Sequence, residues 1–123
     1  MIMKKLLLLL PVILFFTSAS LLANKTSVEV KAPAEIKKGT EVTLVISVFH
    51  KGNSKSHHTD WVVLNINGKE VKKWAYDKDS LPPGGDFVLE YKYVVTENLT
   101  VEAQGHCNIH GSAGINKATV KVN

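Results

Sequence analysis

Residues 86–95 read DFVLEYKYVV, and in them Phe87, Leu89, Tyr91, Tyr93 and Val95 take every second place. A two-residue period puts all five side chains on one face of a pleated strand, whereas a helix would need steps of three and four. The same alternation runs through Val42, Leu44, Ile46 and Val48 upstream and through Leu99, Val101 and Ala103 downstream. Trp61 to Ile66 leads into Asn67-Gly68, a dipeptide suited to a tight hairpin, and Val71 to Trp74 returns. Val28 and Val30 open the pattern, and Ala118, Val120 and Val122 close it. Strands are therefore expected at 27–31, 41–50, 60–67, 70–75, 86–95, 99–106 and 117–123. Lys38-Gly39, Asn67-Gly68, Pro82-Pro83-Gly84-Gly85 and Glu97-Asn98 supply turns between them. No window after residue 23 carries a helical period. Seven short alternating strands in this length predict an all-β, immunoglobulin-like, seven-stranded antiparallel sandwich.

The chain has 123 residues, 45% hydrophobic and 21% charged, which suits one compact domain and leaves no room for a nucleotide domain beside a substrate domain. Its start has the layout of an export signal: Lys4-Lys5, an apolar run from Leu6 to Phe16, then Thr17-Ser18-Ala19 and a cleavage position after Ala23. The expected organisation is a signal peptide over 1–23 and one domain over 24–123, delivered to the periplasm or secreted and free of the membrane after cleavage. No cysteine stands directly after the leader, so a lipid anchor is not expected. All 15 basic residues are lysines; without Lys4 and Lys5, 13 remain against 11 Asp and Glu, a net of +2. That mild, arginine-free balance argues against nucleic acid and is compatible with a small anionic partner.

Strand parity says where chemistry can gather. If the strands run alternately up and down, loops 50–60, 76–86 and 106–117 and the segment before the first strand share one end. The five histidines (His50, His57, His58, His106 and His110) and the single Cys107 all fall in or beside two of those loops. Imidazole with one thiolate suits iron, copper or zinc, and Cys107-Asn108-Ile109-His110 puts two donors on one tight turn. A lone thiol in an exported domain also calls for an explanation, because cysteines there usually pair. Plainer readings compete with this one. Loop histidines are often just solvated, adjacent His57 and His58 point to opposite sides of an extended chain, and a cysteine can be inert core.

Gly105-His106-Cys107-Asn108-Ile109-His110-Gly111 resembles the C-N-x-H-G motif of the superoxide reductase (desulfoferrodoxin/neelaredoxin) family. His57-His58-Thr59-Asp60-Trp61 is similar to its H-H-x-x-W segment, and Ala32-Pro33 with Lys38-Gly39 to its opening strand and turn. The resemblance covers most of residues 24–123. It implies an Ig-like iron-binding domain with a ferrous, Fe(2+), centre held by four histidines and an axial cysteine. By position, Cys107 corresponds to that cysteine, and His110, His57 and His50 to histidine ligands. The spacing from His50 to His57 is one residue longer than the family's usual one. The resemblance also implies reduction of superoxide to hydrogen peroxide, with Lys25 as the lysine that assists catalysis. An external electron donor such as a rubredoxin or cytochrome is implied as well, and a homo-oligomer is compatible with it. The chain departs from the pattern at Lys25-Thr26, where the family carries Lys-His. One histidine ligand is thus missing, and His58, His106, water or a new α-amino group are the candidates for its place.

The alternative is a metal-binding or electron-transfer accessory module of the same fold, without turnover. A cupredoxin-like carrier lacks its axial methionine, because Met1 and Met3 both lie in the leader. A structural adhesion domain would bind no metal.

Overall fold

The computed structural model describes residues 24–123; the expected signal peptide over 1–23 lies outside the described residues. Eight strands occur in the order β1 (Ser27–Lys31), β2 (Glu35–Ile36), β3 (Thr40–Phe49), β4 (Thr59–Ile66), β5 (Lys69–Ala75), β6 (Phe87–Val95), β7 (Leu99–Cys107) and β8 (Ile115–Val122). They form two sheets, one of order β1-β3-β6 and one of order β2-β8-β7-β4-β5. No helix is present among the described residues. The all-β sandwich expected from the alternation is the fold observed.

Seven strands match those expected to within a residue or two at their ends. The eighth, β2, has only two residues, too few to show a period, and pairs parallel to β8 while every other strand pair is antiparallel. Between β1 and β2 the chain crosses from one sheet to the other through Ala32-Pro33-Ala34, where Pro33 supplies no N–H for a ladder.

The two inner faces make the core. Leu44, Ile46 and Val48 of β3 meet Val62 and Leu64 of β4 and Val101 of β7, all fully buried. Each such side chain contributes about 1.5–3 kcal/mol by leaving water. On β7 the inward series is Leu99, Val101, Ala103, Gly105 and Cys107. Cys107 therefore ends a row of core residues, while its neighbour His106 belongs to the outer face.

A register shift between Thr59 and Trp61 bends β4 at the same level. Without it, residues two apart would face the same way; with it, Thr59 pairs with Cys107 and is buried, while Trp61 pairs with His106 and stacks on it outside.

Candidate metal centre

The turn after β7 is closed by its own backbone. The Cys107 N–H donates to Gly111 O (2.9 Å) and the Gly111 N–H donates to Cys107 O (3.0 Å). Gly111 takes φ +79°, a left-handed conformation that a side chain would strain. Asn108, Ile109 and His110 form the exposed tip, and the His110 N–H points back at Cys107 Sγ (3.4 Å). The sulfur is fully buried, with His110 Nδ1 3.9 Å away.

The second loop, 50–58, is folded against this turn. Its Asn53 amide donates to Pro82 O (3.0 Å), and the His50 N–H donates to Asp86 Oδ1 (3.3 Å), so the 76–86 loop supports it as parity required. Gly85 lies so close under the His50 carbonyl that a Cβ there would collide with it. Gly52 leaves room for an imidazole: a Cβ on it would come within 2.7 Å of His57 Nδ1.

These two loops bring the expected donors together. The ligand atoms of His50, His57 and Cys107 lie within 4.8 Å of one another. His110 Nδ1 joins them, 3.2 Å from His57 Nε2. The rings of His50 and His57 meet edge to face at 4.7 Å, and those of His57 and His110 at 5.0 Å. Cys107 and His50 are buried, His57 half-buried and His110 exposed, so the cluster grades from core to solvent with sulfur at the bottom. The His57 imidazole is held below its ordinary 6.5, first by burial and then by the neighbouring His50 and His110. Partial support from the Asn24 backbone opposes that shift. A ring that resists protonation is ready to bind metal at lower pH. Two or three imidazoles and one thiol, with no carboxylate in the cluster, form a donor set suited to iron, copper or zinc.

The other two histidines stand apart from this set. His106 lies parallel to Trp61 (4.9 Å between ring centres, 5° between planes), with its Nδ1 2.6 Å from Asp60 Oδ1 on the outer face. His58 is buried and latches the loop: its Nδ1 lies 2.9 Å from Ser54 O. Lys25 is half-buried in the segment that passes the cluster, between Asn24 and the buried Thr26.

One positioning residue has no assigned role in the sequence reading. The Asn108 Oδ1 accepts from the His58 N–H (2.9 Å), its Nδ2 donates to Ser56 O (3.1 Å), and its own N–H donates to His58 O (3.0 Å). A side chain that serves one donor and one acceptor of the opposite loop locks the two ligand-bearing loops together. The visible signal was an asparagine directly after the only cysteine. A wide groove at the opposite end, lined by Ile66, Asn67, Val71, Tyr91 and Tyr93, holds neither imidazole nor thiol.

The desulfoferrodoxin family model matches residues 20–113. Among solved structures, the superoxide reductase (neelaredoxin) from Ignicoccus hospitalis superposes with a TM-score of 0.62 at 19% identity, over 80% of this chain and 83% of that one. A variant of the neelaredoxin from Archaeoglobus fulgidus in the reduced form gives 0.57 at 20% identity, over 80% and 92%. The CARDB domain of a Pyrococcus furiosus protein, solved in complex with di-metal ions, gives 0.60 at 18% identity, over 81% and 94%. At such identities these likenesses establish the fold alone. No curated protein sequence matches this chain.

Proposed function

From the premise that this chain belongs to the desulfoferrodoxin family, we propose that it is an exported mononuclear iron protein that reduces superoxide to hydrogen peroxide. The observation that carries the reading is the convergence of His50, His57 and Cys107 donor atoms within 4.8 Å, with His110 beside them. The overall change is one superoxide anion, one electron and two protons giving one hydrogen peroxide. The electron comes from a separate one-electron donor protein of rubredoxin or cytochrome type, as the family resemblance implies.

Bound ferrous iron would supply the one-electron chemistry, with its electron density raised by thiolate ligation. The protein's own residues do the rest. Cys107 holds its sulfur in a dry pocket, where the His110 N–H supports negative charge on it. His50 is fixed in one tautomer by the contact of its Nδ1 with Gly52 O, which leaves Nε2 as the donor. His57 and His110 form the solvent-side wall, through which a small anion enters. Lys25, with the exposed Lys51 and Lys55 of the adjoining loop, draws the anion toward that wall. Lys25 is the lysine assigned to assist protonation.

A second reading, a metal-binding or electron-transfer module without turnover, is favoured by Thr26. This residue stands where the family carries a histidine, and its hydroxyl is committed to Thr59 Oγ1 (2.8 Å). Anaerobic purification, metal counting and a superoxide assay separate the two. The enzyme reading expects one iron per chain, catalytic loss of superoxide and stoichiometric peroxide, with iron lost in Cys107→Ser. Full iron with no superoxide consumption leaves the module, and the absence of Cys107-dependent metal defeats both.

A further inference from the structure

The segment ahead of β1 carries no imidazole, and the polar groups of Thr26 all bond within the protein. Its hydroxyl pairs with Thr59, its N–H donates to Gly111 O (3.3 Å), and its carbonyl accepts from the Ala113 N–H (2.9 Å). Two residues earlier the main chain presents something different. The Asn24 carbonyl oxygen lies 3.3 Å from His50 Nε2.

That contact is unusual once the tautomer is assigned. His50 Nδ1 faces the Gly52 carbonyl, which can only accept, so the ring proton sits on Nδ1 and Nε2 carries a lone pair. The Asn24 oxygen also has only lone pairs to offer. These two lone pairs face each other at 3.3 Å with the His57 ring beside the same oxygen, so the carbonyl points into the donor cluster. His50 is 5% exposed and packed edge to face against His57, so the facing pair does not turn to water. A metal ion between them would take both lone pairs. The separation is also close to that of His57 Nε2 and His110 Nδ1, 3.2 Å, so both pairs are spaced as neighbouring donors to one ion.

We propose that the main-chain carbonyl oxygen of Asn24 is a ligand of the same metal ion, taking the place of the missing histidine. The inference rests on the metal site proposed above. It gives this chain a mixed set of imidazoles, one thiolate and one amide oxygen, in which the harder oxygen favours ferrous iron over the softer cuprous ion. It also ties the segment before β1 to the metal.

The test is magnetic resonance on the full chain labelled with carbonyl carbon-13 in Asn and nitrogen-15 in Lys. Only Asn24-Lys25 and Asn116-Lys117 then give carbonyl-to-amide signals, and Asn116, on β8, serves as the control. With Zn2+ as a diamagnetic stand-in for ferrous iron, the Asn24 carbonyl carbon moves downfield in step with metal uptake and the Asn116 signal stays in place. Asn24→Ala, which keeps the carbonyl, retains zinc affinity to within about twofold. If zinc binds in a Cys107-dependent way and the Asn24 carbonyl does not move, this inference fails while the metal site stands. If Asn24→Ala weakens zinc tenfold or more, the side-chain amide is the ligand and the main-chain assignment is wrong. If no zinc binds at the cluster, this inference and the metal site fall together.

Discussion

The two ends of the sandwich are cross-linked alike, and only one of them gathers sulfur and imidazole donors. At the far end Asn67, in the left-handed region (φ 52°), spans two turns. Its Oδ1 accepts from the Thr100 N–H (2.8 Å), and its Nδ2 donates to Asn98 O (3.2 Å) and Glu97 Oε1 (3.3 Å). At the metal end Asn108 spans the 50–58 loop and the Cys107–Gly111 turn with the same chemistry. The groups of this far-end bridge satisfy one another, although Asn65 Oδ1 nearby is buried without a partner. At the metal end, one sulfur and several imidazole nitrogens converge within reach of one ion. Cross-linked loops are common to both ends, so they do not make a site; converging sulfur and imidazole donors do.

The sharpest way to break this contrast is to cut both bridges. Asn108→Ala unlocks the two loops that carry the candidate ligands and is expected to weaken metal binding about 10–100-fold in a zinc titration. Asn67→Ala removes the matching bridge and puts a β-carbon without a side-chain hydrogen bond in a left-handed position. It should cost about 2 kcal/mol, lowering the thermal midpoint by roughly 10 °C, with metal affinity unchanged. Equal losses of affinity in the two variants would mean that the ends are not independent. Gly52→Ala is a finer cut: its β-carbon meets the His57 ring at 2.7 Å, and Gly52 is not in the left-handed region. About a tenfold loss of metal affinity is expected with little change in melting, because the ring has to turn while the backbone keeps its shape.

The smallest expected effect concerns Tyr76, which follows β5 at the metal end and packs edge to face on Phe87 (5.7 Å). Burial raises its phenol above the ordinary 10.0. The folded chain therefore keeps the proton longer than the unfolded chain does. This contribution is complete below about pH 10 and is lost as pH rises from there through the folded value. Urea midpoints of the native chain should fall more steeply between about pH 9 and about pH 11 than those of Tyr76→Phe. Parallel curves would show that Tyr76 is no better shielded than a surface phenol.

Much of this was legible in the sequence because alternation is a local property. Val42 to Val48 and Phe87 to Val95 announce their faces two residues at a time. Strand parity then carries His50, His57, Cys107 and His110 to one end without any knowledge of side-chain positions. The two-residue β2 was illegible because nothing alternates over two residues. The opposite fates of His106 and Cys107 are implicit in β7 alternation, but the Trp61 stack that occupies His106 depends on the bulge in β4.

By itself, then, the sequence determined the β architecture and the side chains gathered at one end, because each follows from residue type and spacing along the chain; its motifs carried the resemblance to a family. The tertiary structure alone decided that Asn108 cross-links the loops, that Gly52 makes room for His57, and that the Asn24 carbonyl faces His50. Those contacts join residues up to 52 positions apart. They are decided by where separate strands end and bend relative to one another, and no local period records that.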